Sequence, residues 1–148
     1  MLDTGVDYTR PEFGSCAAPG GRCRVVVATD IAPDDGSTDD NGHGTWTAAI
    51  AASVAPGARI AALDIVDGAR LYDSDLVAAL DWVVRHQAEY NIKVVNMSVS
   101  HYGEYHSTDC RGSVLDGAIA AVRAAGILPV AAAGNEGMPN GVFTEGLS

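Results

Sequence analysis

The chain has 148 residues, of which 47% are hydrophobic and 19% are charged. This length fits one domain, and a chain of this size buries roughly 70% of its unfolded surface. The high apolar fraction excludes intrinsic disorder. Nine lysine and arginine residues against 19 acidic residues give a formal net charge of -10, which argues against a nucleic-acid partner. No apolar run approaches the ~20 residues of a membrane-spanning helix, so no membrane partner is expected.

The two ends of the sequence indicate a partial domain. Only Met1 and Leu2 precede an Asp-Thr-Gly turn, which is too short for a complete first strand, and the first residues lack the pattern of a signal peptide. Residues 139–148 have the composition of a loop without a terminating element. We therefore expect residues 1–148 to form one partial domain that lacks the start of its first strand and its C-terminal part.

Strands and helices alternate along the chain. A β-branched run predicts a buried strand at residues 24–28, and an alanine-rich segment predicts a short helix at 43–52, entered through Asn41-Gly42. The next predicted elements are a strand at 58–65, an amphipathic helix at 74–87 with Ser74 or Asp73 as its N-cap, a strand at 93–97, a helix at 114–125 ended by Gly126, and a strand at 128–133. This order predicts an α/β fold, with a parallel sheet covered by helices on both faces.

Three polar side chains stand at predicted strand ends or at a helix start, where parallel α/β sheets build their sites. Asp3 follows the shortened first strand, His43 begins a helix between two glycines, and Asn135 follows the strand at 128–133. The small residues beside them leave room for another chain to approach closely. A carboxylate, an imidazole and an amide are the orienter, the base and the oxyanion donor of acyl transfer. Each residue alone also fits an ordinary turn or surface position, so only the combination indicates catalysis.

Five segments in register resemble the motifs of the subtilisin-like serine peptidases, the subtilases. The resembling segments are Leu-Asp-Thr-Gly-Val-Asp at 2–7, followed by Pro-Glu-Phe at 11–13; Asn-Gly-His-Gly-Thr at 41–45; Val-Ala-Pro-Gly-Ala at 54–58; Val-Val-Asn-Met-Ser at 94–98; and Ala-Ala-Ala-Gly-Asn-Glu-Gly at 131–137. The resemblance covers nearly the whole chain. It implies a subtilisin-like fold and a serine endopeptidase that acts on protein or peptide substrates outside the cell or in its envelope.

The resemblance also implies a role for each matching residue. Asp3 would accept a hydrogen bond from His43 and fix its tautomer, and His43 would take the proton of a nucleophilic serine and return it to the leaving amine. Asn135 would donate its side-chain amide to the oxyanion. The substrate-binding residues implied are Ala132 and Gly134, in the wall of the pocket for the residue before the scissile bond, and Ser98, Val99 and Ser100, which would pair with the substrate backbone as an added strand.

The nucleophilic serine of the family is the main departure from this pattern. The string Gly-Thr-Ser-Met-Ala, which carries it, does not occur here, and Ser148 has no matching context. We therefore expect this chain alone to be inactive and the missing C-terminal half of the domain to be its partner.

The loops depart from the family pattern as well. Only 12 residues separate His43 from Pro56, which is short for the calcium-binding loop of many subtilases. No metal ion or other cofactor is therefore predicted. Calcium remains possible at the acidic cluster Asp34, Asp35, Asp39 and Asp40, for which a solvated loop is the favoured alternative. Ser100-His101 replaces two glycines that usually follow the cleft strand, so the resemblance does not determine substrate access to the cleft or specificity. Trp46 replaces a common histidine and is expected to pack against other residues.

The remaining cysteines and histidines give weaker signals. A disulfide between Cys16 and Cys23 is slightly favoured over two free thiols, and Cys110 could pair with a cysteine in the missing part. The histidines His86, His101 and His106 are expected at the surface, and a metal site formed by Glu104, His106 and Asp109 is disfavoured.

Two alternatives to the endopeptidase remain. A protein with the subtilase fold could bind a peptide or a partner without cleaving it. A nucleotide-binding α/β domain is disfavoured, because neither glycine-rich stretch forms a phosphate-binding loop between the first strand and its helix.

Overall fold

The computed structural model describes residues 1–39, 41–68, 70–100 and 112–135. The chain divides into two compact units, Met1–Ala79 and Leu80–Ser148. Each unit contains parallel strands followed by helices, which confirms the predicted α/β class. In the described part of the chain, no helix has both the length and the apolar character needed to cross a membrane.

Three parallel strands form the sheet of the first unit: β1 (Leu2–Asp3), β2 (Val25–Asp30) and β3 (Ile60–Asp64). Strand β3 lies in the middle and pairs with both of the others. Asp3 and Asp30 are both in register with Asp64, so the three strands end together. We predicted that Asp3 follows the first strand. It is instead the last residue of that short strand, because its backbone pairs with β3.

Helix α1 (His43–Val54) begins at the predicted residue and extends two residues further than expected. Ala48 and Ala52, one helical turn apart, face the sheet, where their small side chains allow close packing. The buried residues of this core are Val6, Phe13, Cys23, Val25, Ala48, Ala52, Ile60 and Ala62. Trp46 does not join them: its side chain is 75% exposed. The predicted packing role of Trp46 is wrong for the described structure, because the residue lies on the opposite face of α1.

The segment between β1 and β2 carries a 3₁₀ helix (Pro11–Phe13) and a disulfide between Cys16 and Cys23. The disulfide confirms the favoured pairing and closes a loop beside the buried ring of Phe13. Cys110 lies outside the described residues. A short hairpin of β4 (Val66–Asp67) and β5 (Arg70–Leu71) follows β3. The 3₁₀ helix and the hairpin were not predicted, because elements of two or three residues are too short to show a hydrophobic period.

Helix α2 (Asp73–Arg85) starts one residue earlier than predicted. Asp73 and Ser74 are both helical, so neither is the N-cap. Acidic residues in a first turn stabilise the helix N-terminus directly, which explains the position of Asp73. His86 follows α2 and is half-buried: its ring stacks on Trp82 at 4.0 Å between centroids, and Nδ1 bonds to the Trp82 carbonyl at 2.8 Å. The expectation of a surface histidine is therefore corrected, because this stacking covers one face of the ring.

The second unit contains helix α3 (Gln87–Tyr90), strand β6 (Val94–Met97), helix α4 (Asp116–Ala124) and strand β7 (Leu128–Ala131). Strands β6 and β7 are parallel and pair from Val94–Leu128 to Met97–Ala131. Gly126 follows the C-cap of α4 with φ +75°, and its N–H donates to the Arg123 carbonyl, as expected for a C′ glycine.

Candidate active site

Asp3 is held at the carboxyl end of β1 by its pairing with β3. Its side chain is only 2% exposed, and Oδ1 accepts the N–H of Thr4 at 2.9 Å. A buried carboxylate is costly unless donors surround it. The site therefore depends on what else donates to Asp3.

His43 supplies such a donor. It is the first residue of α1, and its Nδ1 lies 2.6 Å from Oδ1 of Asp3. The carboxylate accepts this hydrogen bond, so Nδ1 carries the proton and Nε2 keeps its lone pair. The His43 side chain is 46% exposed, whereas Asp3 is buried. This arrangement can orient an imidazole as a general base for a group approaching from solvent.

Thr47 reaches the second oxygen of Asp3, and sequence reasoning missed it. Its hydroxyl lies 3.1 Å from Oδ2 of Asp3 and 3.1 Å from the carbonyl oxygen of Gly44. A hydroxyl has one hydrogen, so it donates to one of these acceptors at a time. The available signal was helical spacing: Thr47 is four residues after His43, so both side chains lie on the same face of the helix.

Gly44 allows the two segments of the site to approach each other. A Cβ at this position would lie 2.0 Å from the carbonyl oxygen of Gly5 and 3.2 Å from Cβ of Asp3. We predicted that the small residues beside His43 leave room for another chain. At Gly44 this room is filled by Gly5 of the same chain.

The acidic cluster divides into two kinds of residue. Asp34 and Asp35 are exposed, and each accepts one backbone N–H of its own turn at 2.8 Å, from Gly36 and Ser37. Asp39 is half-buried and accepts N–H groups of Gly42 and Thr45, both at 2.7 Å. Asp40 lies outside the described residues. Asp34 and Asp35 are thus exposed turn residues, whereas Asp39 is bound to the start of α1.

The first unit also contains a cavity of about 480 Å³ at the carboxyl ends of its strands. Asp30, Asp34 and Asp64 contribute to its lining. Among the described residues, no group of three or more histidine, cysteine or acidic side chains is arranged to hold a metal ion.

The α-amino group of Met1 lies at the start of β1, close to this site. It donates to the carbonyl oxygen of Ala61 in β3 at 2.8 Å. Burial lowers the pKa of this amine from 8.0 to about 6, and the negative charge of Asp3 opposes the shift.

The other predicted site residues lie in the second unit. Ser98, Val99 and Ser100 directly follow β6 and are half-buried, and the amide of Asn96 donates to Ser98 Oγ at 2.8 Å. Ala132 directly follows β7, and its N–H donates to the Met97 carbonyl at 3.0 Å. The structure thus places the segments after β6 and β7 side by side.

Asn135 and Gly134 continue from Ala132 along the same segment. Asn135 is exposed, and Gly134 has φ +86°. His101, Glu104, His106 and Asp109 lie outside the described residues.

Comparison with known proteins identifies the family of this chain. The model of the subtilase family matches residues 1–146. Subtilisin-like protease 9 of Arthroderma gypseum is 31% identical over 97% of the chain, and subtilisin-like protease 2 of Trichophyton equinum is 29% identical over 93%. A subtilisin-like protease of Coccidioides posadasii is 32% identical over 91%. The chain spans 33%, 30% and 32% of the length of these three relatives. A match to the family model over almost every residue means that this chain belongs to the subtilase family.

Proposed function

We propose that this chain supplies the aspartate and the histidine of a serine endopeptidase. Membership of the subtilase family supports the class of serine peptidases. The observation that carries the proposal is the 2.6 Å hydrogen bond between Nδ1 of His43 and the buried carboxylate of Asp3. This pair has the orientation that a triad needs, because Nε2 remains available to a nucleophile.

The proposed reaction follows from this orientation. Nε2 of His43 takes the proton of a serine hydroxyl as the oxygen attacks the peptide carbonyl, and Asp3 stabilises the imidazolium that results. His43 then returns the proton to the leaving amine. Asn135 donates to the oxyanion, a contribution worth roughly 3–4 kcal/mol for one such donor. The substrate would run beside Ser98, Val99 and Ser100, with Ala132 and Gly134 in the pocket wall.

The nucleophile would come from outside these 148 residues, because the sequence contains no Gly-Thr-Ser-Met-Ala motif. The proposed partners are therefore a protein or peptide substrate and the serine-bearing half of the domain, without nucleic acid or membrane. The reaction as proposed uses no cofactor, since each proton step has a side chain to perform it. By family likeness, it would take place outside the cell or in its envelope.

The test is to read the nucleotide sequence that flanks the coding segment and to express the continuous polypeptide. We expect it to hydrolyse a generic protein substrate and to react with a fluorophosphonate probe. His43→Ala should abolish both signals, and His86→Ala serves as the control because the His86 ring stacks on Trp82. The 148-residue chain alone should give neither signal. Probe labelling of this chain that His43→Ala abolishes would contradict the assignment of the serine.

A second candidate is a non-catalytic protein that binds peptides with the same fold. The absent serine motif favours it, since an Asp–His pair without a nucleophile does not cleave by the family mechanism. Peptide binding by the 148-residue chain, together with a flanking sequence that contains no serine motif, would support this candidate over the endopeptidase.

A further inference from the structure

Asp39 connects the two segments that carry Asp3 and His43. Its Oδ1 accepts the Thr4 hydroxyl at 2.8 Å and the Gly42 N–H at 2.7 Å. Its Oδ2 accepts the Thr45 N–H at 2.7 Å and also the Thr45 hydroxyl. One carboxylate therefore binds the residue after Asp3 and both sides of His43.

The two threonine hydroxyls fix the direction of these hydrogen bonds. Thr4 Oγ1 accepts the N–H of Gly44 at 3.0 Å, and Thr45 Oγ1 accepts the N–H of Asp7 at 2.8 Å. Each hydroxyl has only one hydrogen, which it donates to Asp39. Both threonine hydroxyls therefore need a hydrogen-bond acceptor at residue 39, and an ionised carboxylate accepts on both oxygens.

The start of α1 depends on the same carboxylate. The N-cap residue is Gly42, which has no side chain to satisfy the first N–H groups of the helix. Asp39 replaces this missing cap from outside the helix, and its negative charge is favourable at a helix N-terminus. A backbone bridge between Gly5 and Asp39 adds a further connection to the segment after β1.

We propose that Asp39 is a positioning residue of the peptidase site, and this inference rests on the function proposed above. Through Thr4 and Thr45, its carboxylate holds the end of β1 and the start of α1 at the separation at which Nδ1 of His43 reaches Asp3. The network spans from Thr4 to Thr45 in the sequence, so no local element can replace it.

The experiment is nuclear magnetic resonance of the continuous polypeptide with ¹⁵N-labelled histidine, which observes the Nδ1 proton of His43. His43→Ala assigns the resonance. Asp39→Asn keeps the size of the side chain but replaces one acceptor oxygen by an NH₂ group. This group cannot accept the hydrogen bonds that Thr4 or Thr45 donates. Asp35→Asn is the matched control, because Asp35 lies in the same acidic loop and accepts only the Ser37 N–H among its described bonds. Thr45→Val removes one hydroxyl, and Thr45→Ser restores it.

We expect a far-downfield Nδ1 proton in the unsubstituted chain, in Asp35→Asn and in Thr45→Ser. We expect it to move upfield or disappear in Asp39→Asn and Thr45→Val, while the far-ultraviolet circular dichroism spectrum is retained. If Asp39→Asn unfolds the chain, the comparison of Thr45→Val with Thr45→Ser decides the question.

Three results would overturn the proposal: an unchanged resonance in folded Asp39→Asn or Thr45→Val, an equal effect of Asp35→Asn, or unfolding of both Asp39→Asn and Thr45→Val. The last would make the network a general element of stability. Lack of the resonance in the unsubstituted chain would overturn the positioning role and the Asp–His pair together. If the resonance depends on Asp39 but the continuous polypeptide does not cleave peptides, only the proposed function fails.

Discussion

Asp3 carries a charge into the interior of the first unit, where an unpaired carboxylate would be costly. The N–H of Thr4, the ring of His43 and the hydroxyl of Thr47 offset this cost by donating to its two oxygens. Hydrogen bonds to charged groups contribute more than neutral ones. The donors that orient Asp3 for catalysis are therefore also the donors that allow it to be buried.

Thr47→Val should lower the free energy of unfolding by about 1–2 kcal/mol. The valine has nearly the same shape but no hydroxyl, so Oδ2 of Asp3 loses a donor to a charged, buried group. Urea denaturation of the 148-residue chain measures this loss, and Thr47→Ser, which keeps the hydroxyl, is the control. Equal stability of Thr47→Val and the unsubstituted chain would mean that the hydroxyl serves the carbonyl of Gly44 instead.

Gly44→Ala should destabilise the chain by about 2 kcal/mol or more. The added methyl group meets the backbone carbonyl of Gly5, which cannot move aside as the end of a flexible side chain can. The matched control is Gly57→Ala, because a Cβ at Gly57 meets nothing within 4 Å. We expect that control to stay within about 0.5 kcal/mol in urea denaturation. Similar losses in both variants would show that helix or turn propensity, and not the close approach, sets the effect.

Strand β1 illustrates how a short element can hold a site. It has two residues, but it pairs with β3, and the Ile65 N–H donates to the Asp3 carbonyl at 3.0 Å. Helix α1 is anchored at its other end as well, since the Arg24 guanidinium donates to the Ala52 carbonyl at 3.2 Å. A cation at a helix C-terminus is favourable. Both elements that carry the pair are therefore fixed by contacts from distant parts of the chain.

The α-amino group at the start of β1 should make the stability of the 148-residue chain depend on pH. Its folded pKa of about 6 lies below the unfolded value of 8.0, so the unfolded chain binds more protons between these values. Stability should be full above pH 8, fall by about 2–3 kcal/mol as the pH decreases to 6, and change no further from this group.

Urea denaturation between pH 6 and pH 9 measures this dependence, and the rate of acetylation of the amine against pH reports its pKa directly. A stability that is flat between pH 7 and pH 8 would contradict the burial of this amine.

At the scale of the whole molecule, the first unit presents an apolar helix face. Trp46, Ile50 and Val54 recur every four residues on α1 and are 75%, 64% and 80% exposed. Together with the buried Ala48 and Ala52, these residues make opposite faces of α1 apolar, a pattern typical of a helix buried between two layers. A few hundred Å² of uncovered apolar surface leaves about 5–10 kcal/mol of burial free energy to be gained by covering this face.

We therefore expect the isolated chain to self-associate through this face and to bind a hydrophobic dye strongly. Replacing the three residues by Trp46→Lys, Ile50→Glu and Val54→Lys should reduce dye binding and raise solubility. As a control, Asp34→Lys changes the charge of an exposed loop outside this face. A soluble monomer that does not bind the dye would show instead that this face needs no partner.

The sequence by itself determined the features that depend on near neighbours. The β-branched run gave the position of β2, the alanine-rich segment gave the start of α1, and Gly126 gave the end of α4, because hydrophobic period and backbone conformation are local properties. The motifs around Asp3 and His43 were also visible, since each occupies a few consecutive residues.

Only the tertiary structure decided how these segments meet. Gly44 contacts Gly5, Thr47 reaches Asp3, and Asp39 binds Thr4 across separations of about 35–45 residues. No period or short motif encodes such pairs, because a hydrogen bond between distant residues depends on where the sheet and α1 place them. The sequence thus named the aspartate and the histidine, whereas their close approach and its support by Asp39 arise from the packing of β1, β3 and α1.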